Sequence, residues 1–194
     1  MSTIFINLSS ITENTDVANE AILFKGAPTI NFVLTGISEA TNSALTLDIN
    51  WGDGTGSDTV QRSNIVSIPG EDAQKNIYII NHTFAGAGTF RVTMEDPNRN
   101  GGIVNIGGAS NSDQFPFCIA TEVVISPFIG PNNSVVFNDC PCPEFACINK
   151  RYCYNSQATD PDGDSLSYSL APCLGLGCNP MATPAVYQYP DNFG

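Results

Sequence analysis

Positive charge is scarce in this chain. Seven Lys and Arg stand against 19 Asp and Glu, for a formal net charge of −12. A surface of that sign repels phosphate backbones and anionic lipid, so nucleic acid is not an expected partner. Charge of either sign is thin as well, at 13% of residues, against roughly a quarter in an average soluble domain. Ser, Thr, Asn, Gly and Pro must then cover the surface, in the manner of an extracellular β protein more than of a cytosolic enzyme. Histidine occurs once, at His82, so any His-based triad or metal centre would have to use it. His82 opens an extended run beside apolar residues, which points to a structural role. Gly-x-Ser-x-Gly and phosphate-cradling loops are missing too. No enzymatic activity is expected. A run of about 18 apolar residues, the minimum for a membrane-spanning helix, is also lacking. The start, Met1-Ser2-Thr3-Ile4-Phe5-Ile6-Asn7, has neither the basic region nor the apolar stretch of a secretory signal. The expectation is a signal already removed, or export by another route, which keeps a virion surface protein in view.

Cysteine is absent from the first 117 residues. It then appears at 118, 140, 142, 147, 153, 173 and 178. The spacing contains no Cys-x-x-Cys pair, and the one histidine is distant in sequence, so a zinc site is not expected. A dense cluster in a Gly/Pro-rich region reads as disulfides and hence an oxidising compartment. Cys140, Cys142, Cys147, Cys153, Cys173 and Cys178 are the expected disulfide formers, in a pairing that the spacing leaves open. The odd count leaves one over. Cys118 is the expected free thiol, because the apolar run around it, Phe115-Pro116-Phe117-Cys118-Ile119, suits a thiol acting as a small hydrophobe.

What the chain does have is short extended runs at close spacing. Strands are expected at 3–8, 21–24, 29–35, 45–51, 65–68, 77–84, 88–95, 102–106, 117–125 and 134–137, then at 151–154, 166–170 and 185–189. Several alternate in sidedness, as in Thr46-Leu47-Asp48-Ile49-Asn50-Trp51, so that one face packs inward and the other meets water. Gly/Pro/Asn turn signals separate them. The fold class expected is all-β, as immunoglobulin-like β-sandwiches in tandem. Composition shifts near residue 127. The expected division is 1–126, a sandwich with an N-terminal extension, and 127–194, a cysteine-rich module that stops short of a complete sandwich.

Two motifs carry more. The first is Trp51-Gly52-Asp53-Gly54-Thr55, followed by Asn81-His82-Thr83-Phe84 and the run Gly88-Thr89-Phe90-Arg91-Val92-Thr93-Met94. Trp51 ends an alternating strand and should lie between two sheets. Asp53 should fix the turn by accepting backbone N–H bonds, and Phe84 and Phe90 should bracket a hairpin. This constellation resembles the polycystic kidney disease (PKD) domain over roughly residues 27–125. It departs from that pattern in its Ile49-Asn50 lead-in and in what reads as a long insert at about 56–76. The second motif is Asp160-Pro161-Asp162-Gly163-Asp164-Ser165-Leu166. Its alternate carboxylates can converge on a hard cation or cap a turn. It resembles a segment of cadherin-like sandwiches, and that resemblance implies calcium at Asp160 and Asp162, with Asp164 as a third candidate ligand. The other calcium motifs of that family are missing.

Together with 81–102 and 125–134, these motifs resemble the gliding-motility-associated, type IX-secreted surface proteins of Bacteroidota, which carry tandem PKD and immunoglobulin-like modules. The resemblance implies a structural or adhesive module at the cell surface, partnered by other β-sandwich modules. If the second sandwich ends at Gly194, its open edges would invite strand addition and a filament. Asp58-Thr59-Val60 and Asp164-Ser165-Leu166 resemble the O-glycosylation sites of such proteins, at Thr59 and Ser165. Asn7, Asn81 and Asn132 head N-glycosylation sequons. Two other readings stand beside adhesion. One is an accessory carbohydrate-binding module of a secreted hydrolase, with Tyr152, Tyr154, Tyr168, Tyr187 and Tyr189 as sugar-stacking candidates. The other is a virion decoration or fibre protein.

Overall fold

The structure is a computed structural model. It describes residues 3–12, 28–39, 46–70, 72–97, 99, 101, 103, 106, 111–128, 132–137, 157–169 and 171–181. Strands dominate: β1 (Thr3–Thr12), β2 (Thr29–Glu39), β3 (Thr46–Asn50), β4 (Ser57–Ser67), β5 (Ala73–Thr83), β6 (Gly88–Asp96), β7 (Phe117–Ile125), β8 (Val136–Phe137) and β9 (Ala158–Thr159). Among the described residues the helical elements are two single 3-10 turns, Ser112–Gln114 and Leu176–Cys178. The all-β expectation holds.

Seven strands form one antiparallel sheet in the order β1-β2-β5-β4-β3-β6-β7. The sheet curls, and its two edge strands β1 and β7 come within 8 Å between Cα atoms. The curl turns on β4. Its first half, Ser57–Gln61, pairs with β3, and from Arg62 onward it pairs with β5 across an irregularity at Arg62/Asn64. A bulge sharpens local twist and lets one strand serve two differently inclined parts of a sheet. The stretch 56–76 holds β4, which includes most of the strand expected at 65–68, and the start of β5.

Period-two alternation fills the inside of the curl. Ile30, Phe32 and Leu34 of β2, Leu47 and Ile49 of β3, Tyr78 of β5, Val92 and Met94 of β6, and Val123 and Ile125 of β7 are buried together around Trp51 and Phe84. Burial of such side chains contributes about 1.5–3 kcal/mol each. At one end the inner face turns polar. There Asn76 donates to Ser38 Oγ (2.8 Å), and its own side-chain oxygen accepts from Gln74 Nε2 (3.1 Å) and Arg62 Nη1 (3.0 Å). Buried amides are tolerated because they bond to one another.

Beyond β7, β8 and β9 form a separate two-stranded ladder. Residues 171–181 return to the seven-stranded sheet and pack on β6 and β7. Residues 166–169, expected as a strand, make no ladder. The strands expected at 21–24, 151–154 and 185–189 lie outside the described residues. Among the described residues no helix is long and apolar enough to cross a membrane.

Candidate functional site

The Gly-Asp-Gly turn after β3 is densely bonded. Trp51 is 1% exposed, with Phe32 at 4.9 Å and the His82 ring stacked on it at 4.1 Å, 8° from parallel. Phe84 meets His82 edge-on at 4.7 Å and stacks on Phe90, so both phenylalanines bracket the β5–β6 hairpin as expected. The indole N–H of Trp51 donates to Asp58 Oδ2 (2.8 Å), satisfying the one polar atom that burial would otherwise orphan. Glycine is required at 52: φ is +71°, and an added Cβ would run into the Arg91 carbonyl oxygen.

Asp53 closes this turn. Its Oδ1 accepts from the Thr55 amide (2.9 Å) and hydroxyl (2.6 Å), and its Oδ2 accepts from His82 Nε2 (2.8 Å). Burial pushes the Asp53 carboxyl up, but hydrogen bonds from the Thr55 hydroxyl, His82 and the Thr55 amide outweigh it and hold the group at about 2. Both oxygens are thereby committed to the turn. The lone histidine sits between Trp51 and Asp53, stacked on the first and bonded to the second.

The second motif forms a capped turn. Asp160 Oδ1 accepts from the amides of Asp162 (2.8 Å) and Asp164 (3.2 Å), the Asp160 carbonyl accepts from Gly163 (3.2 Å), and Gly163 has φ +83°. Asp162 accepts from the Asn133 amide (2.6 Å) and side chain (3.1 Å), which ties the turn to the segment leading into β8. Oxygen donors suit calcium, yet Asp160 and Asp162 are turned onto N–H groups. Among the described residues no group of three His, Cys, Asp or Glu side chains is arranged to hold a metal ion. Ser165 beside the turn is exposed, as is Thr59, whose hydroxyl donates to Asp48 Oδ1 (2.6 Å).

The third feature is a latch. Residues 173–181 form a small hairpin, closed by Met181 N–H to the Cys173 carbonyl (2.9 Å) and Gly175 N–H to the Asn179 carbonyl (2.9 Å). Leu174 bridges Cys118 at the start of β7. Cys118 and Cys178 are joined by a disulfide. This corrects the expectation that Cys118 is the unpaired cysteine: its apolar surroundings suit a half-cystine as well as a thiol. Cys173, expected in a disulfide, carries a free thiol beside Ile103, Ile106, Phe115 and Met181. Cys140, Cys142, Cys147 and Cys153 lie outside the described residues.

Polar bonds reinforce the latch. Arg91 donates to the Cys178 carbonyl (2.8 Å), and the Gly177 amide donates to Glu95. Arg99 donates to the carbonyls of Phe115 (3.1 Å), Pro116 (2.8 Å) and Leu174 (2.9 Å), with its guanidinium over the Phe117 ring at 5.5 Å. Burial pushes its pKa down while nearby Cys173 opposes that shift. Arg99 was not singled out in the sequence. The one available signal was a cation placed among turn residues in a chain that has few.

Compared with known proteins, the chain matches no family profile, no curated sequence and no solved structure.

Proposed function

We propose that the chain is a structural or adhesive module of a secreted cell-surface protein, built as a PKD-like immunoglobulin-type sandwich followed by a second, cysteine-rich module in tandem. The observation that carries this reading is the Cys118–Cys178 disulfide. It fastens a segment from beyond the expected module boundary onto β6 and β7. Disulfides of this structural kind persist in oxidising compartments, and a covalent tie between sequence-distant segments suits a protein that bears load or resists proteases outside the cell. The Trp51 turn supports the PKD-like assignment, since its side chains are spent on holding the sheet together. The thin, acidic, hydroxyl-rich surface supports exposure to the medium.

Labelling intact cells of the source organism with antibody against this chain tests the reading. Labelling without permeabilisation, lost after brief surface proteolysis, is expected. Signal appearing only after lysis would overturn it.

A further inference from the structure

Cys118 meets two cysteines in the latch. One is Cys178, its disulfide partner. The other, Cys173, carries a free thiol and directly precedes Leu174, the residue that bridges Cys118. Residues opposed across an antiparallel bridge share a face, and their chain neighbours occupy the other. Leu174 therefore stands on the face of Cys118. Cys173 stands on the opposite face, among Ile103, Ile106, Phe115 and Met181. A slip of one residue in this pairing exchanges the two. Cys173 would then oppose Cys118 directly, with Cβ atoms about 4.5–5.5 Å apart, near the span that a disulfide bridges. Leu174 would move to the apolar face that Cys173 leaves.

The present register is lightly held. Between β7 and the hairpin the described pairing is a single bridge, whereas β6 and β7 pair continuously from Gly88 to Asp96. Cys178, moreover, sits at φ +55°, with Gly177 before it at +64°. An L residue enters this left-handed region at a cost and stays there when its surroundings compel it. The disulfide and the Arg91 bond to the Cys178 carbonyl (2.8 Å) supply that compulsion. Pairing Cys118 with Cys173 removes the first of them.

We infer that the latch is a thiol–disulfide exchange switch, in which Cys173 displaces Cys178 from Cys118. The Cys173 thiol gives its proton to water, and the thiolate attacks Cys118 Sγ in line with the existing bond. A Cys118–Cys173 bond forms, the Cys118–Cys178 bond breaks, and Cys178 leaves as a thiolate that takes up a proton. Electrons balance within the chain, so neither oxidant nor reductant is consumed. The hairpin tip at Leu176-Gly177-Cys178 then loses its covalent hold on the sheet. The switch rests on the same disulfide as the proposed function and is independent of where the chain is displayed.

Non-reducing peptide mapping of the whole chain tests it, with thiols blocked in acid before and after several hours at about pH 8.5, near the ordinary thiol pKa. The first map should show Cys118–Cys178, with Cys173 blocked as a thiol. After incubation Cys118–Cys173 should account for about a tenth of the chains or more, as for two pairings within about tenfold of one another, and Cys178 should be newly blocked. Cys178→Ser, given an oxidised small-molecule disulfide, should link Cys118 to Cys173. Cys173→Ser should keep Cys118–Cys178 throughout. A Cys118–Cys178 bond that persists in the unaltered chain while Cys173 stays a thiol would overturn the switch and leave the proposed function standing. Cys178→Ser chains in which Cys118 pairs elsewhere, or not at all, would do the same. A first map with neither bond would overturn both.

Discussion

Asp53 is the residue on which chemistry and fold meet most closely. Its carboxyl titrates near 3.8 when free and at about 2 in the folded chain. A depressed acid contributes stability in full above its unfolded value and loses it as pH falls through its folded value. The contribution should therefore be constant above about pH 5 and disappear between about pH 4 and pH 2. Asp53→Asn keeps the shape and gives up the charge. Thermal unfolding should show the variant less stable at neutral pH, with the gap closing across that acid window. A gap independent of pH would mean that the charge of Asp53 contributes nothing. Much of this cluster was readable in the sequence, because Trp51, the Gly-Asp-Gly turn and His82 stand in a recognisable order. The Trp51–His82 stack was not, since it joins residues from β5 and the end of β3 that only folding brings together.

Among the elements, legibility followed periodicity. Strands β2, β3, β6 and β7 alternate between core and solvent and could be placed from that pattern alone. Strand β4 was legible only at its end, where a strand is expected at 65–68: in Ser57–Ser67 the one buried side chain is Val60, so no two-residue rhythm marks the rest. The hairpin at 173–181 was equally hidden. Its partner Cys118 is 60 residues away in sequence, and local context says nothing about such a distance. In the loop-entropy picture a bridge of that span is worth about 4 kcal/mol. Charge-assisted bonds of the kind Arg99 makes contribute about 1.5–3 kcal/mol. Arg99→Ala should thus loosen the hairpin even with the disulfide intact. Hydrogen exchange at the Gly175 and Met181 amides should rise in that variant, while exchange in the core strands β2 and β3 stays as it was. Unchanged exchange at the two hairpin amides would show that the disulfide alone holds the latch.

For the whole molecule, the account joins a curled sheet packed around Trp51 to a returning segment held by sulfur and by arginine. The all-β class was legible because composition and turn spacing both favour short strands. Function was less so, because the turn motifs are occupied in building the structure: Asp53 and Asp160 each hold their own loop, and the capped turn at 160–164 binds Asn133. The cysteine at 118 therefore carries most of the weight. Peptide mapping by mass spectrometry, under non-reducing conditions and on protein taken from its native source, examines it directly. The account predicts a linked pair of peptides containing Cys118 and Cys178. Finding both as free thiols would contradict the latch and the oxidising compartment together.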